Sequence, residues 1–293
     1  MKKVLFVGVF TPNSTNVAQA RAFVANNCKV YAYDYRAKRQ QLGSISARDQ
    51  NLIEMIREIQ PDLSVFSKCN DMHHSVVSEA SKVGKTVLWY MDAMNNFNSE
   101  LIAKVKNCHS FICGLEGVVE AGLEHNENTI FIDQCPDDEM NFYIPDCEKK
   151  YEAVFIGNIN ANVHRDRVTY KRKCKFRHMS GVYGLEHNRI VNETIINLGF
   201  APTDKTGTSV RAHKILAARG FYMTTPWPGM EKTFIPDEHL VVFNSPAELT
   251  QKMKYYLNNP EERERIALNG HKEVQKYMPQ QWAQRILAHM GLK

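Results

Sequence analysis

The sequence of 293 residues lacks the glycine motifs that mark dinucleotide-binding and P-loop proteins. No G-x-G-x-x-G follows the first apolar run, VLFVGVF, since GVFTPN lacks the second and third glycines. No G-x-x-x-x-G-K-[ST] occurs at any position. These absences weigh against an NAD-dependent dehydrogenase and against a P-loop kinase or ATPase.

Paired cysteines and long hydrophobic runs are missing as well. The seven cysteines include no C-x-x-C, and the two closest, Cys108 and Cys113, do not have the spacing of a zinc site. This pattern predicts reduced, buried thiols in a cytoplasmic protein and no metal requirement. The apolar runs are far shorter than the ~20 residues of a membrane-spanning helix. No small-residue cleavage site follows MKKVLFVGVF, which favours a buried first strand over a signal peptide.

Positive charge is distributed unevenly along the chain. Residues 1–150 carry 16 Lys+Arg and 19 Asp+Glu, whereas residues 151–293 carry 21 and 13. The densest basic run, HRDRVTYKRKCKFR at 164–177, holds seven cations and one acid. Such a run is either a solvated helix face or a surface that attracts a polyanion such as double-stranded DNA. The candidate nucleic-acid contacts are Arg165, Arg167, Lys171, Arg172, Lys173, Lys175 and Arg177.

Apolar strand patterns alternate with helix patterns in both halves of the chain. The alternation stops in the polar, proline-containing segment 135–152 and restarts with EAVFIGN. Strands separated by helices of ten to fifteen residues predict right-handed crossovers and parallel sheets. We therefore predict an α/β protein with two doubly wound Rossmann-like domains, 1–145 and 146–293, facing across a cleft. The closing helix could pack back onto the first domain.

The stretch TGTSVRAHKILAARG, which begins at residue 206, places an unusual charge at a predicted helix start. Ser209 is a plausible N-cap and Gly220 a plausible C′ residue. Arg211 then lies in the first turn, where a cation is unfavourable unless an anion neutralises it. That anion is either a bound diphosphate, which we favour, or a nearby carboxylate.

Other polar residues follow predicted strands. Gly157 in FIGN would let a ligand approach the backbone, and Glu231 after PWPG is either a hydrogen-bond acceptor for sugar hydroxyls or an exposed loop acid. Asp92 follows VLWYM, where aromatic neighbours would raise the pKa of its carboxyl and make it a general base; a turn or helix cap is the alternative. The candidate acceptor-binding residues are Thr11, Asn13, Asp71, His73 and Asn95.

The second half of the chain resembles the CgeB-like and wider GT-B glycosyltransferases over residues 152–290. The resemblance rests on VFIGN, VRAHKILAARG, PGMEKTF, SPAELTQKMKYYLNNPEERERIALNG and QQWAQRILAHM. The first half resembles them in pattern only, with LWYMD similar to a family strand that ends in Asp. The resemblance implies a nucleotide-sugar donor, by default a UDP-sugar, and no other cofactor. The residues implied at the donor are Gly157, Asn158, Gly184, Ser209, Arg211, Lys214 and Glu231.

One departure from the family concerns Lys214, which stands where the family has a helix acid. A lysine cannot accept hydrogen bonds from a ribose diol. Ribose recognition must therefore move to another residue such as Glu231, or Lys214 must serve the phosphates instead.

The expected reaction transfers a hexosyl or pentosyl group to an acceptor hydroxyl, with Asp92 as the base. An in-line base would invert the anomeric carbon, and retention stays open. The basic second half resembles phage enzymes that glycosylate hydroxymethylated pyrimidines in DNA, where the base must be flipped out of the stack. The alternatives are a cell-surface, spore or small-molecule acceptor, a nucleotide-sugar epimerase, and a non-catalytic protein that binds a nucleotide or DNA. No oligomeric state is indicated.

Overall fold

The computed structural model describes residues 1–92, 94–160, 164–201, 206–207 and 209–292. The chain divides into two compact units. Unit 1 comprises Met1–Gln134 together with Pro279–Lys293, and unit 2 comprises Cys135–Met278. Among the described residues, no helix combines the length and the apolar character needed to span a bilayer.

Unit 1 is built on a six-stranded parallel sheet with the order β2-β1-β3-β4-β5-β6. The central strands form because their residues are apolar on both faces; in β1, residues 4–7 are all fully buried. The strands are β1 (Lys2–Gly8), β2 (Cys28–Asp34), β3 (Leu63–Ser67), β4 (Lys85–Tyr90), β5 (Ser110–Cys113) and β6 (Thr129–Phe131). The helices are α1 (Thr15–Ala25), α2 (Tyr35–Leu42), α3 (Ile45–Ile59), α4 (His74–Val83), α5 (Ser99–Asn107) and α6 (Val119–Leu123).

Short polar side chains start the helices of unit 1. Ser14 caps α1, Asp34 caps α2, Ser44 caps α3 and Asn98 caps α5, each by accepting a hydrogen bond from a free backbone N–H of the first turn. The polar segment after β1 therefore ends in the cap of α1.

Unit 2 is built on a five-stranded parallel sheet with the order β11-β10-β9-β7-β8. The strands are β7 (Tyr151–Ile156), β8 (Arg177–Met179), β9 (Thr194–Gly199), β10 (Tyr222–Thr224) and β11 (Val241–Val242). The helices are α7 (Arg165–Lys173), α8 (Gly184–Asn192), α9 (Arg211–Ala217), α10 (Pro246–Asn258) and α11 (Pro260–Val274). The predicted α/β class, with two doubly wound parallel sheets, is confirmed.

The last helix, α12 (Pro279–His289), is part of unit 1 although it follows unit 2 in the chain. Trp282 is 1% exposed, and its ring centre lies 5.8 Å from that of Phe23 and 5.2 Å from that of Trp89. Burying a side chain of this size supplies most of the driving force for such docking. The closing helix is therefore held by aromatic packing against α1 and β4.

Unit 2 begins after Gln134, before the boundary at 145 that the loss of periodicity suggests. Side chains of α8 fix the intervening segment. The Asn188 Oδ1 accepts from the Phe142 N–H (3.1 Å), and the Asn192 Oδ1 accepts from the Ile144 N–H (2.8 Å). Because these bonds satisfy its backbone, an irregular segment belongs to the second unit rather than forming a free linker.

Candidate functional site

A cavity of about 510 Å³ lies at the carboxyl edge of the sheet in unit 2. Ligands of doubly wound sheets bind at this edge, outside the ends of the strands. The cavity wall is made by the end of β7, the loop after β8, the first turn of α8 and the start of α9. The lining residues are Ile156, Gly157, Asn158, Ser180, Gly181, Val182, Tyr183, His187, Ser209, Val210, Arg211 and Lys214.

The Arg211 guanidinium is held by neutral groups. Its Nε donates to the Ile156 carbonyl (3.0 Å), its Nη1 donates to the Ser209 Oγ (3.1 Å), and it lies 4.9 Å from the centre of the Phe155 ring. No described acid forms an ion pair with it. Burial lowers the pKa of Arg211, because removal from water disfavours the charged form. A neutralising carboxylate, the alternative to a bound anion, is therefore not found in the part of the chain that the structure describes.

A second cation and a neutral imidazole complete the polar lining. The Lys214 ammonium group forms no hydrogen bond or ion pair with the described residues. Burial lowers its pKa, Asp137 opposes that shift, and Arg211 adds to it. His187 is 9% exposed, and burial together with Lys214 and Arg211 lowers its pKa to about 3. No described lining residue is acidic. The cavity therefore carries net positive charge and suits an anion.

Gly157 allows Arg211 to reach the end of β7. A Cβ at this position would lie 2.7 Å from the Arg211 Nη2 and 2.8 Å from the Phe155 Cζ. The Gly157 N–H donates to the Met179 carbonyl (2.9 Å), which fixes the backbone in place. A guanidinium makes the close contact at this glycine, and the approach of a ligand that the sequence predicts there stays a prediction.

Arg167 is buried, unlike its neighbours in the basic run. It is 6% exposed, and it donates through Nη1 to the Asn158 carbonyl (3.0 Å) and through Nη2 to the Phe200 carbonyl (3.2 Å). Burial and the nearby Arg211 lower its pKa to about 10. The prediction that Arg167 contacts nucleic acid is wrong, because its place on α7 turns it toward the sheet.

The helix that carries Arg211 differs from prediction at both ends. Val210 occupies the cap position, and the Ser209 Oγ instead accepts from the Arg211 N–H at 3.4 Å. At the other end Arg219, with φ of 54°, takes the left-handed conformation expected of Gly220. The Gly220 N–H donates to the Ile215 carbonyl (2.9 Å), and a Cβ there would lie 2.8 Å from the Ile215 Cγ2. Close packing, not a positive φ, requires this glycine.

Two other donor-site candidates, Glu231 and Gly184, are not among the residues that line the cavity. Glu231 is exposed in a 3-10 turn, Met230–Lys232, as the alternative of a loop acid predicts. Gly184 begins α8 with φ of 57°, directly after Tyr183, which does line the cavity. Asn158 lines it and is exposed.

In unit 1, Asp92 has a cationic partner where the sequence predicts aromatic surroundings. Its Oδ1 accepts from the Lys68 Nζ, and its side chain is 22% exposed. The aromatic neighbours Trp89 and Tyr90 point into the core instead. Lys68 and Cys69 both have left-handed backbones, with φ of 60° and 49°. Strained backbone of this kind costs about 1–3 kcal/mol per residue and occurs preferentially at functional sites.

Asp71 and His73 have structural partners rather than free side chains. Asp71 accepts from the Arg39 Nη1 (2.9 Å) and from the Nη1 of the fully buried Arg48 (3.0 Å). His73 caps α4, with its Nδ1 accepting from the Ser75 N–H at 3.3 Å. The structure thus gives both residues a role in holding the loop after β3, and their contact with an acceptor stays a prediction.

The remaining acceptor-side candidates lie in loops. Thr11 and Asn13 are exposed after β1, and the Thr11 carbonyl accepts from the Ser14 N–H (2.9 Å). Asn95 lies in a 3-10 turn, Met94–Asn96, and its side chain is outside the described residues.

Six cations of the basic run form an exposed surface on α7 and on the edge strand β8, called here the basic surface. Lys171 donates to the Phe176 carbonyl (2.8 Å), and Arg177 stacks on the Tyr151 ring (4.9 Å). Charged residues on an edge strand also hinder pairing with other chains. The basic surface comprises Arg165, Lys171, Arg172, Lys173, Lys175 and Arg177.

Potential metal ligands are dispersed in the described ranges, where no three His, Cys, Asp or Glu side chains come together as a metal site. The cysteines are free thiols. Burial raises the pKa of Cys69 and Cys108 to about 12, which makes them unreactive.

Comparison with known proteins relates this geometry to a family. A model of the family described as glycosyl transferase-like matches residues 146–288. HepE from Anabaena, solved in complex with UDP-glucose, superposes with a TM-score of 0.75 at 10% identity, covering 99% of this chain and 100% of that one. Sucrose-phosphate synthase from Thermosynechococcus elongatus gives 0.69 at 10% identity, covering 98% and 97%. No curated protein matches the chain. Residues 146–288 thus match the model of the glycosyl transferase-like family, and the chain has the fold of the GT-B glycosyltransferases.

Proposed function

We propose that the protein is a glycosyltransferase that takes a UDP-sugar as donor and binds the donor diphosphate in the cavity of unit 2. The observation that carries the proposal is the pair Arg211 and Lys214, two partly buried cations that line one cavity and form no ion pair with a described acid, although Asp137 acts on Lys214. The donor diphosphate carries two negative charges and would neutralise both. UDP-glucose and UDP are bound in structures of HepE, which supports UDP as the nucleotide.

In this proposal, catalysis at the donor is electrostatic. When the bond between the anomeric carbon and the diphosphate breaks, negative charge grows on the leaving oxygen. Arg211 is oriented in advance by the Ile156 carbonyl and the Ser209 hydroxyl, so little reorganisation is needed as the charge appears. Fixed donors aimed at developing charge contribute about 3–4 kcal/mol each in well-studied enzymes.

Asp92 is our candidate for the base that receives the proton of the acceptor hydroxyl. Its pairing with Lys68 fixes the position of a carboxylate oxygen, and a base must be held within hydrogen-bond reach of the proton it removes. Asp92→Asn is expected to abolish sugar transfer while leaving the Kd for UDP within about twofold, since the substitution lies in unit 1. Weakened UDP binding together with full turnover would contradict this assignment.

The nucleotide is tested by differential scanning fluorimetry with UDP, GDP, ADP and dTDP. A ligand at 100 times its Kd stabilises the folded protein by about 2.7 kcal/mol. We expect UDP to give the largest shift. The same sample incubated with a UDP-sugar and no acceptor separates transfer from epimerisation, because an epimerase would convert the sugar without an acceptor.

For the acceptor, we propose a hydroxymethylated pyrimidine in double-stranded DNA. The support is the basic surface, where six exposed cations lie on adjacent elements of unit 2. Arg172→Glu with Lys173→Glu should weaken duplex binding and reduce the slope of log K against log salt by about 2, because each phosphate contact contributes about 0.9. Unchanged DNA affinity would remove DNA as the acceptor and leave the donor proposal intact, and a cell-surface or small-molecule hydroxyl would be tested next.

A further inference from the structure

Among the polar side chains that line the donor cavity, those of Asn158, Ser180 and Tyr183 can accept hydrogen bonds but are exposed. Arg211 and Lys214 can only donate, and the Ser209 Oγ already accepts from the Arg211 side chain. A nucleotide sugar presents hydroxyl groups beside its diphosphate, and a hydroxyl that donates needs an acceptor in the protein. Arg211 and Lys214 can therefore bind the phosphates, but neither can accept a hydrogen bond from a hydroxyl group of the ligand.

His187 is a buried polar side chain of this cavity without a partner. It lies in the first turn of α8 and is 9% exposed. Its Nδ1 is buried with no hydrogen-bond partner within the described residues. Buried polar atoms in folded proteins are nearly always bonded, so the described residues leave Nδ1 without its usual partner. Because Nδ1 itself is shielded, the ring meets the cavity through its other nitrogen, Nε2.

The surroundings of His187 keep its ring neutral. Burial is the largest cause, followed by Lys214 and Arg211 on α9, and together they lower its pKa to about 3. Among the described residues, no acid is a cause of this shift; Asp137 acts on Lys214 instead. A neutral imidazole has one N–H and one unprotonated nitrogen, and nearby positive charge favours the tautomer whose unprotonated nitrogen faces the cations.

We propose that His187 accepts a hydrogen bond from a hydroxyl group of the bound donor, and so distinguishes a nucleotide sugar from a bare phosphate ligand. This inference rests on the proposed donor site. The hydroxyl belongs either to the ribose or to the transferred sugar. His187 can accept this hydrogen bond because its ring is neutral. A protonated imidazole could only donate, as Arg211 and Lys214 do.

The test compares three probes at pH 8 by isothermal titration calorimetry: inorganic pyrophosphate, UDP and UDP-glucose. His187→Leu removes the acceptor, and His187→Gln retains one. We expect His187→Leu to bind UDP-glucose about tenfold more weakly and pyrophosphate within about twofold of wild type, as for loss of one neutral hydrogen bond. His187→Gln should stay within about threefold for all probes. A loss already present with UDP assigns the ribose hydroxyls, and a loss confined to UDP-glucose assigns the sugar.

His164→Gln is the matched control. Burial, Arg167 and Arg211 lower the pKa of this histidine, but it does not line the cavity. Its replacement should therefore leave the affinity for UDP-glucose unchanged. Retained pyrophosphate binding shows that His187→Leu is folded.

Wild-type affinity for UDP-glucose, whose diphosphate diester does not titrate near neutrality, should be flat from pH 5.5 to 8.

Equal UDP-glucose affinity in His187→Leu and wild type would overturn the inference. So would a tenfold loss for pyrophosphate, which would make His187 a phosphate ligand, or an affinity that rises as the pH falls through 6. If wild type binds none of the nucleotides, the proposed function itself fails, and that outcome is distinct from these.

Discussion

Replacing Arg211 by Met should remove donor binding at little cost to the stability of the free protein. In the free protein two hydrogen bonds from a charged donor, about 1.5–3 kcal/mol each, offset a burial cost of several kcal/mol for an unpaired cation. The two effects nearly cancel. We therefore expect the unfolding temperature of the ligand-free variant to lie within about 4 °C of wild type.

The effect on binding is larger because it is not offset. A unit charge pair about 4 Å apart at an effective dielectric constant of 20 interacts by about 4 kcal/mol. After the costs of desolvation and ordering, we expect a net loss of about 2–3 kcal/mol, or about 30- to 150-fold in Kd. At a UDP concentration of 100 times the wild-type Kd, ligand stabilisation falls from about 2.7 to at most about 0.9 kcal/mol.

Thermal shift with and without UDP measures both quantities in one experiment. Wild type should gain about 5–11 °C on addition of UDP, and Arg211→Met at most about 2–4 °C. Arg172→Met is the control, since it removes an exposed cation from the same unit and should keep the full shift. A full UDP shift in Arg211→Met would refute the cavity as the diphosphate site.

Three further predictions concern packing and pH. Gly157→Ala should weaken UDP binding at least tenfold, measured by calorimetry, because the added Cβ would lie 2.7 Å from the Arg211 Nη2 and displace the guanidinium. Trp282→Ala should cost about 3–5 kcal/mol of unfolding free energy in urea and should release α12 to protease; an unchanged cleavage pattern would contradict its docking on unit 1. The unfolding free energy should fall above pH 9, by up to about 1.4 kcal/mol per pH unit for each group, because the unfolded thiols of Cys69 and Cys108 release protons that the folded thiols retain up to about pH 12. A free energy that is constant from pH 8 to 11 would contradict that burial.

Gly43→Ala is the control for Gly157→Ala. Gly43 has φ of 78°, yet nothing lies within 4 Å of an added Cβ, so the substitution strains the backbone without a clash. It should reduce stability by about 1 kcal/mol and leave the Kd for UDP unchanged.

The sequence by itself determined the elements and the fold class. Apolar periodicity is a local property, and alternating strand and helix patterns permit few arrangements other than parallel sheets with helices on both faces. The anomalous cation Arg211 was also visible locally, because a helix start and a charge are neighbours in the chain. The glycine at 157 was predicted to admit a ligand, whereas the structure shows the side chain of Arg211 beside it.

The partners of the polar side chains were decided by tertiary structure. Arg211 bonds to a carbonyl 55 residues away, Asp71 to arginines on two other helices, and Asp92 to Lys68 on the preceding strand's loop. Arg167 is buried although Arg165 and Lys171 on the same helix are exposed, and composition does not record which side chain faces the sheet. His187 had no signal beyond its type, since its meaning comes from being buried beside two cations of another helix. Strand and helix patterns depend on near neighbours, whereas charge, burial and unpaired atoms depend on which distant segments the fold brings together.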